Sequence, residues 1–474
     1  VAPVLAPAQT SFEDVLRTFT KVYAAVEDNA ASPVDPSQAI YDGALSGAVR
    51  ALDPFSVFLT ADRMVQLQEM QNSREKGFGS IVSILPGRII VLQVLPETPM
   101  ARAGIEPGDE FLAVNNYMIS ALSDEQIVEL LNQSRQGQVA VVVRRPGSVR
   151  PLQFTLAPQE MDSRSVDKAF LLEERFAYVH IKAFEGETSK QFRDAVEKLG
   201  GDQLQGLILD LRDNPGGVID SALDISSFLL DPGAVILHAR GRSKAPVTEK
   251  VPAAAKPYRF PVVVLMNEKT ASAAEIVAGA LRDHRRARLL GQRSYGKGLV
   301  QQVFPLSEGN GLALTTSYYF TPNGESIQRP LKDSQVRSQT DASSASSQAE
   351  GSVALTGKGG IAPEETVLPP ASNQLRYVLE GSGAFALFAT EYLRGRKIQP
   401  DFQADGVVLD EFQFFLSQRN LRPPLSMWTA NTDYMRIRLR AEILNQALGV
   451  EYGERVEAEL DPAIQRALRI LSSP

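Results

Sequence analysis

Three stretches of the sequence place residue types where they could carry out acyl-transfer chemistry. The first is Asn267-Glu268-Lys269-Thr270-Ala271-Ser272-Ala273-Ala274-Glu275. The apolar run before it predicts a buried strand, and a helix is expected from about Ala273 onward. Ser272 then sits on a strand-to-helix turn. There its hydroxyl is exposed, and free backbone N–H groups point at whatever it attacks. The same spacing, Ser272-x-x-Glu275, is also a capping box, so a structural role stands beside the nucleophilic one. The second stretch is Gly296-Lys297-Gly298-Leu299-Val300-Gln301. Its glycines leave the Lys297 amine few neighbours, although a plain surface-turn lysine fits the same pattern. A lysine serves as a base where burial keeps it neutral, and Ser–Lys pairs are an alternative to Ser-His-Asp. Gln301 stands an even number of positions beyond Lys297. On a strand this puts both side chains on one face, where Gln301 could orient the amine. The third stretch is Leu209-Asp210-Leu211-Arg212-Asp213-Asn214-Pro215-Gly216-Gly217. Adjacent glycines after a buried strand can turn N–H groups outward as an anion nest, or simply make the turn.

Other motifs lose their mechanism on inspection. Gly291-x4-Gly296-Lys297 approaches a phosphate-binding loop, but Gly298 stands where Ser or Thr should bind Mg²⁺, and the following residues read as a strand. Ser165-x-x-Lys168 resembles a β-lactamase motif but is read here as part of a polar connector without its companions. Asp401-x3-Asp405-Gly406 resembles part of a calcium loop with Phe412 in the bidentate Glu position. The run Arg282-Asp283-His284-Arg285-Arg286 is read as a structural helix end. None of His180, His238 and His284 has a triad-like setting in the sequence.

The elements that must position these residues follow from periodicity. Residues 161–330 alternate strands (177–181, 207–211, 235–239, 262–266, 312–318) with helices (188–199, 219–229, 273–286). The continuous runs Leu207-Ile208-Leu209 and Val262-Val263-Val264-Leu265 suit strands covered on both faces, hence an α/β sheet. All three candidate stretches fall in this domain. Residues 1–70 read as helical, with Phe12, Val15, Leu16 and Phe19, then Ile40, Ala44 and Leu45, at helical spacing. Pro33 and Pro36 separate the two helices, and Asp53-Pro54 ends the second. Residues 71–160 form a complete small domain. Its predicted strands are 81–85, 89–95, 111–114, 139–143 and 153–156, with a helical piece at 100–103 and a helix that Ser123 and Gln126 open as a capping box. Within the core, 161–370, the Ser-rich stretch 331–358 reads as a flexible insertion. Residues 371–474 are helical again, at 385–393, 410–418, 435–447 and 462–471. The expected fold class is multidomain α/β with helical N- and C-terminal regions.

Composition narrows the chemistry. At roughly 150 residues per domain, 474 residues predict about three domains. The chain has no Cys, which excludes disulfides, thiolate metal sites and a cysteine nucleophile, and three His make a poor multi-histidine centre. A net charge of −7 argues against nucleic acid as a partner. No apolar run approaches the roughly 18 residues of a spanning segment. The chain opens on Val1 rather than Met, as a trimmed chain would, so the lack of an export signal carries no weight.

With its motifs in this order, the sequence resembles the C-terminal processing peptidases, or tail-specific proteases. In that family a Ser within [ST]-A-S-A-[AS]-E-I precedes G-K-G-x-x-Q, with L-D-L-R-x-N-P-G-G upstream. Residues 270–276, 296–301 and 209–217 match these in turn. Leu52-Asp53-Pro54-Phe55-Ser56 resembles the N-terminal signature, and Gly77-Phe78-Gly79 the ligand loop of the family's PDZ domain. Phe320-Thr321-Pro322-Asn323-Gly324 and Gly360-Ile361-Ala362-Pro363 resemble the pieces that close the core. The resemblance covers roughly residues 10–370, and the last hundred residues match poorly.

The resemblance implies a PDZ domain beside a crotonase-like protease core of ββα units, with no metal or other cofactor. It implies an extracytoplasmic location, the bacterial periplasm or envelope, and cleavage of proteins near their C-termini. Residue by residue, it implies that Ser272 attacks the scissile carbonyl. Neutral Lys297 takes the proton and later protonates the leaving amine, and Gln301 positions Lys297. The oxyanion faces the Ala273 N–H and one from Gly216-Gly217, with Gly217 favoured. Gly77, Phe78, Gly79 and Ser80 would receive a C-terminal carboxylate above an apolar pocket of Phe78, Ile127 and Leu131. The expected partners are protein C-terminal tails, and a second copy of the chain through the terminal helical regions. The competing expectation is a catalytically silent scaffold that binds tails through residues 71–158.

Overall fold

The computed structural model describes residues 11–36, 38–85, 87–145, 148–242, 245–329, 359–370 and 372–473. The Ser-rich stretch 331–358 lies outside them. Two compact units form. One draws on Val1–Gln66 and Leu299–Ser317, the other on Leu67–Gly298, Tyr318–Arg329 and Leu355–Pro474.

In the first unit, Ser11 caps the helix Phe12–Asn29 by accepting from Asp14 N at 3.2 Å. After Pro33 the chain forms a π-helix, Gln38–Leu45, that runs on into the helix Ser46–Arg50. The Leu52–Ser56 signature then makes an Asx turn. Asp53 Oδ1 accepts from Phe55 N and Ser56 N, both at 2.8 Å, and Oδ2 accepts from the Ser56 hydroxyl at 2.7 Å. This turn launches the strand Val57–Leu59, which pairs antiparallel with Gly311–Ala313. Ser56 Oγ holds the same partner by accepting from Thr315 N at 3.0 Å. The all-helical expectation for residues 1–70 is thus corrected: a three-residue strand is too short to show a period of two.

The second unit begins with the PDZ sheet. Its antiparallel order is Ser80–Leu85, Arg88–Val94, Glu110–Val114, Val139–Arg144, Leu152–Leu156, so Ser80–Leu85 is an edge strand. Ile89, Val91, Phe111, Ile119, Ile127 and Val143 form its core. The helix Asp124–Ser134 closes a full capping box between Ser123 and Gln126.

The protease sheet runs in the order Val166–Leu172, Phe176–Ile181, Gly206–Asp210, Val262–Met266, Ala287–Gly291, Glu365–Thr366. The first pair is antiparallel and the rest are parallel. Side chains alternate across the strands. Ile208, Val263, Leu265 and Leu290 meet Ile464, Ala467, Leu468 and Leu471 of the helix Pro462–Leu471. Leu207, Leu209, Val264 and Leu289 point the other way and are equally inaccessible. The last helix of the chain therefore covers one face of the protease sheet. Helices Thr188–Leu199, Ile219–Ser227 and Ala273–Asp283 complete the α/β arrangement. The remaining C-terminal helices enclose an aromatic core of Phe385, Phe388, Phe412 and Phe415.

Two further expectations are corrected. The segment read as a polar connector around Ser165 and Lys168 is the strand Val166–Leu172. Its charges are satisfied by distant residues: Asp167 by His180 at 2.5 Å and Lys168 by Glu454 at 3.1 Å. The helix read to residue 286 stops at Asp283, and Ala287–Gly291 is a strand. Asp405 of the calcium-like motif caps the helix Gly406–Gln418 through Val407 N and Val408 N.

Candidate active site

Ser272 stands at the head of the helix Ala273–Asp283 with φ 55° and ψ −117°. Such a backbone costs a non-glycine residue roughly 1–3 kcal/mol and holds only where its surroundings enforce it. Here the Thr270 hydroxyl donates to Leu211 O at 2.7 Å, and Ala271 N donates to Asn214 O at 2.9 Å. These bonds tie the Ser272 turn to the 209–217 turn. Ala273 is the first residue of the helix, so its N–H has no acceptor within the helix.

The 209–217 turn lies directly against this point. A Cβ on Gly216 would fall 2.7 Å from Ser272 Cβ and 2.9 Å from Ala273 N, and Gly216 has φ 94°. Only glycine allows that approach. Asn214 shapes the turn from inside. Its Nδ2 donates to Ile181 O at 2.7 Å, and its Oδ1 accepts from Gly216 N at 2.8 Å. The Gly216 N–H is thereby committed, so Gly217 is the candidate donor of the pair.

Glu275 joins the serine turn to the lysine loop. Its Oε2 accepts from Ser272 N at 2.8 Å and from Lys297 N at 2.9 Å. Its Oε1 accepts from Gly296 N at 2.8 Å and from the Ser294 hydroxyl at 2.5 Å. Burial pushes this carboxyl above its ordinary range, and the four donors push it back towards the ionised form. The capping box and the nucleophile turn are one device. Lys297 is half-buried. Gln301 lies in the first unit on the strand Leu299–Pro305, where its Nε2 donates to Phe55 O at 2.5 Å. The three histidines have their own partners: Asp167 for His180, Thr248 for His238 and the Val235 carbonyl for His284.

A sequence model of peptidase family S41 matches residues 175–336, and a PDZ-domain model matches residues 90–145. A carboxy-terminal-processing protease of Bartonella bacilliformis is 30% identical over 67% of this chain and 72% of its own length. The chain belongs to this family. The carboxy-terminal processing protease CtpB of Bacillus subtilis is 27% identical over 69% of this chain and 68% of its own length. A solved photosystem II D1 C-terminal processing protease aligns with 79% of this chain and 97% of its own, at 24% identity and a TM-score of 0.40. The protein is thus a serine-type peptidase of family S41 with a PDZ domain, which sets aside the silent scaffold. Among the described residues, no helix is long and apolar enough to cross a membrane.

In this S41 peptidase the PDZ loop residues lie between two strands. Gly77 ends Arg74–Gly77, and Ser80 opens the edge strand Ser80–Leu85. Gly79 has φ 81°, and a Cβ there would meet the Thr98 side chain at 2.2 Å. Phe78 and Leu131 pack partly exposed against the domain core. Ile127 is wholly inside that core.

Sequence reasoning passed over two groups around the site. Tyr319 reads as one more strand aromatic, yet its hydroxyl lies 3.2 Å from Ser272 Oγ. Arg212, in the middle of the third motif, forks onto Asp210 and reaches Asp461 at 2.7 Å, at the head of the last helix. Burial works against a charged Asp210, but the Arg212 guanidinium outweighs it and holds the carboxyl below the usual carboxylate range. Asp210, Arg212 and Asp461 line a cavity of about 630 Å³ together with Lys168, His180 and Glu454. Neither Ser272 nor Lys297 lines it; the ion pairs of Arg212 with Asp210 and Asp461 and of Lys168 with Glu454 cross it and tie the 209–217 turn to the C-terminal helices.

Proposed function

We propose that this S41 peptidase cleaves proteins near their C-termini by a Ser272/Lys297 dyad, with the tail held by the PDZ domain. The observation that carries the reading is the Glu275 carboxylate, which binds the backbone of Ser272 and of Lys297 at one point. A nucleophile and its base need such fixed spacing. In this mechanism Lys297 Nζ, uncharged, accepts the Ser272 hydroxyl proton as Oγ bonds to the scissile carbon. The oxyanion meets the N–H groups of Ala273 and Gly217, and Lys297 passes the proton to the departing amine. Water then attacks the acyl-enzyme, with Lys297 again as base. Gln301 positions the amine. The division of the chain at residues 70, 160 and 370, and work outside the cytoplasm, belong to the same reading.

For the tail, the Gly77-Phe78-Gly79-Ser80 loop receives the terminal carboxylate, and the chain before it adds a strand to Ser80–Leu85. Phe78 and Leu131 offer an apolar surface to the last side chain, and Ile127 supports them from within. A hydrogen-bonded carboxylate is worth about 1.5–3 kcal/mol. Amidating the C-terminus of a peptide substrate should therefore raise KM by about 10- to 100-fold, with cleavage still blocked by Ser272→Ala. Equal kinetics for acid and amide would remove tail recognition from the reading.

The helix Phe12–Asn29 supports self-association. Phe12, Val15, Phe19, Val22 and Val26 follow the 3-4-3-4 spacing of a two-stranded coiled-coil seam. Each is at least 42% exposed. Two copies paired along this seam would bury it. Sedimentation at micromolar concentration should show a dimer that Val22→Glu converts to a monomer. A parent chain that sediments as a monomer contradicts the pairing.

A further inference from the structure

We propose that Tyr319 is a third catalytic residue, a neutral hydrogen-bond donor to the Ser272 oxygen in both halves of the reaction. The proposal rests on Ser272 as the nucleophile and deepens it. Tyr319 lies near the end of the strand Gly311–Phe320, and its backbone N donates to Gly298 O at 3.0 Å, one residue beyond Lys297. Its register partner Ala239 fixes it from the other side. The ring is among the largest fully buried side chains, with 1% exposure, and its hydroxyl is 3.2 Å from Ser272 Oγ. A phenol so deep in an apolar setting stays where it has a polar partner, and that partner is the attacking atom.

The direction of the bond follows from the chemistry. The single proton of the Ser272 hydroxyl goes to the base, so the hydrogen between the two oxygens during attack is the phenolic one. Burial raises the Tyr319 phenol to about 12. Burial disfavours the phenolate, so the donor proton stays on Tyr319. As Oγ bonds to the scissile carbon and its proton moves to Lys297 Nζ, negative charge passes through Oγ, and the Tyr319 O–H stabilises it. In deacylation the C–Oγ bond breaks, its electron pair returns to Oγ, and Lys297 returns the proton. The same donor then assists Oγ as the leaving group. No proton leaves Tyr319 in either step.

The test is Tyr319→Phe in the full-length chain, followed by the rate at which a fluorophosphonate labels Ser272 and by peptide turnover. Labelling and kcat should both fall by about 10- to 100-fold, somewhat less than the loss of a preorganised oxyanion donor, with KM unchanged. The fall should be uniform across pH, because a neutral donor does not shift the ascending limb set by the base. A shifted limb would make Tyr319 the base and overturn the proposal, as would labelling at or above the parental rate. Incorporation of 3-fluorotyrosine at 319 preserves the shape of the ring and strengthens the donor. It should speed labelling, and slower labelling counts against the proposal even if the Phe variant folds poorly. Labelling that persists in Ser272→Ala would instead defeat the nucleophile reading, whatever Tyr319→Phe does.

Discussion

Ser272→Ala and Lys297→Ala are each expected to lower kcat by about 10³-fold or more, and the double variant to fall little below either, because a nucleophile and its base act as a unit. The expectation follows from the way the two backbones are fixed. Ser272 holds an unfavourable backbone conformation, φ 55°, at the one point where the Ala273 N–H and the Gly216–Gly217 turn converge. Lys297 is fixed to the same point through its own N–H. Removing either side chain leaves the rest of the machinery in place, so the residual rate measures what oriented N–H groups do without a nucleophile or a base. Lys297→Arg should be as inactive as Lys297→Ala, since a guanidinium stays protonated. In the parent enzyme, activity should rise with pH as the amine loses its proton. Steady-state kinetics on one tail-bearing peptide, with each variant confirmed folded by its thermal transition, decide the matter. A single variant that retains a tenth of the parental kcat removes that residue from the chemistry.

The legible parts of this molecule are those whose cause is local. The helices Thr188–Leu199 and Pro462–Leu471 have the bounds that their apolar periodicity predicts. The buried runs at residues 207–209 and 262–265 are parallel central strands. The Ser, Lys and Gly-Gly motifs were legible because each is a short string with a backbone reason. The strand Val166–Leu172 was hidden because Asp167 and Lys168 take their partners from His180 and Glu454, one of them nearly three hundred residues away. The strand Val57–Leu59 carries too few residues for a period to emerge, and Ala287–Gly291 follows directly on the arginine run read as a helix end, with exposed Arg288 interrupting its apolar residues. Tyr319 was hidden for a different reason. A buried aromatic in a strand is usually core packing, and only the fold brings its hydroxyl to a serine 47 positions earlier. Ser272-x-x-Glu275 was visible as two competing readings, a cap or a nucleophile turn, and local spacing has no way to express that it is both.

That dual role gives the second large effect. Glu275 is fully inaccessible, and each of its oxygens accepts two hydrogen bonds. Glu275→Ala leaves three backbone N–H groups and one hydroxyl without their acceptor, at about 1–3 kcal/mol for each that water does not reach. The Ser272 conformation loses its brace, and the lysine loop is released from the serine turn. Activity should fall by at least about 10²-fold, together with a lower melting temperature. Glu275→Gln separates the two consequences. Its amide oxygen can stand in for Oε2 and keep the bonds from Ser272 N and Lys297 N. The amide nitrogen then replaces Oε1. There it can donate to Ser294 Oγ once that hydroxyl rotates, but it opposes the Gly296 N–H. One contact is lost and the serine–lysine tie survives, so Glu275→Gln should retain roughly a tenth of the parental kcat. Glu275→Asp is a methylene too short to reach both loops and should behave like the alanine variant. The measurement is kcat for all three variants at a temperature where each is folded, beside their thermal transitions. If Glu275→Ala is folded and turns over at close to the parental rate, the carboxylate does not set the spacing of Ser272 and Lys297. If Glu275→Gln is as inactive as Glu275→Ala while melting near the parent, the negative charge itself, rather than the geometry of the tie, is what the site requires.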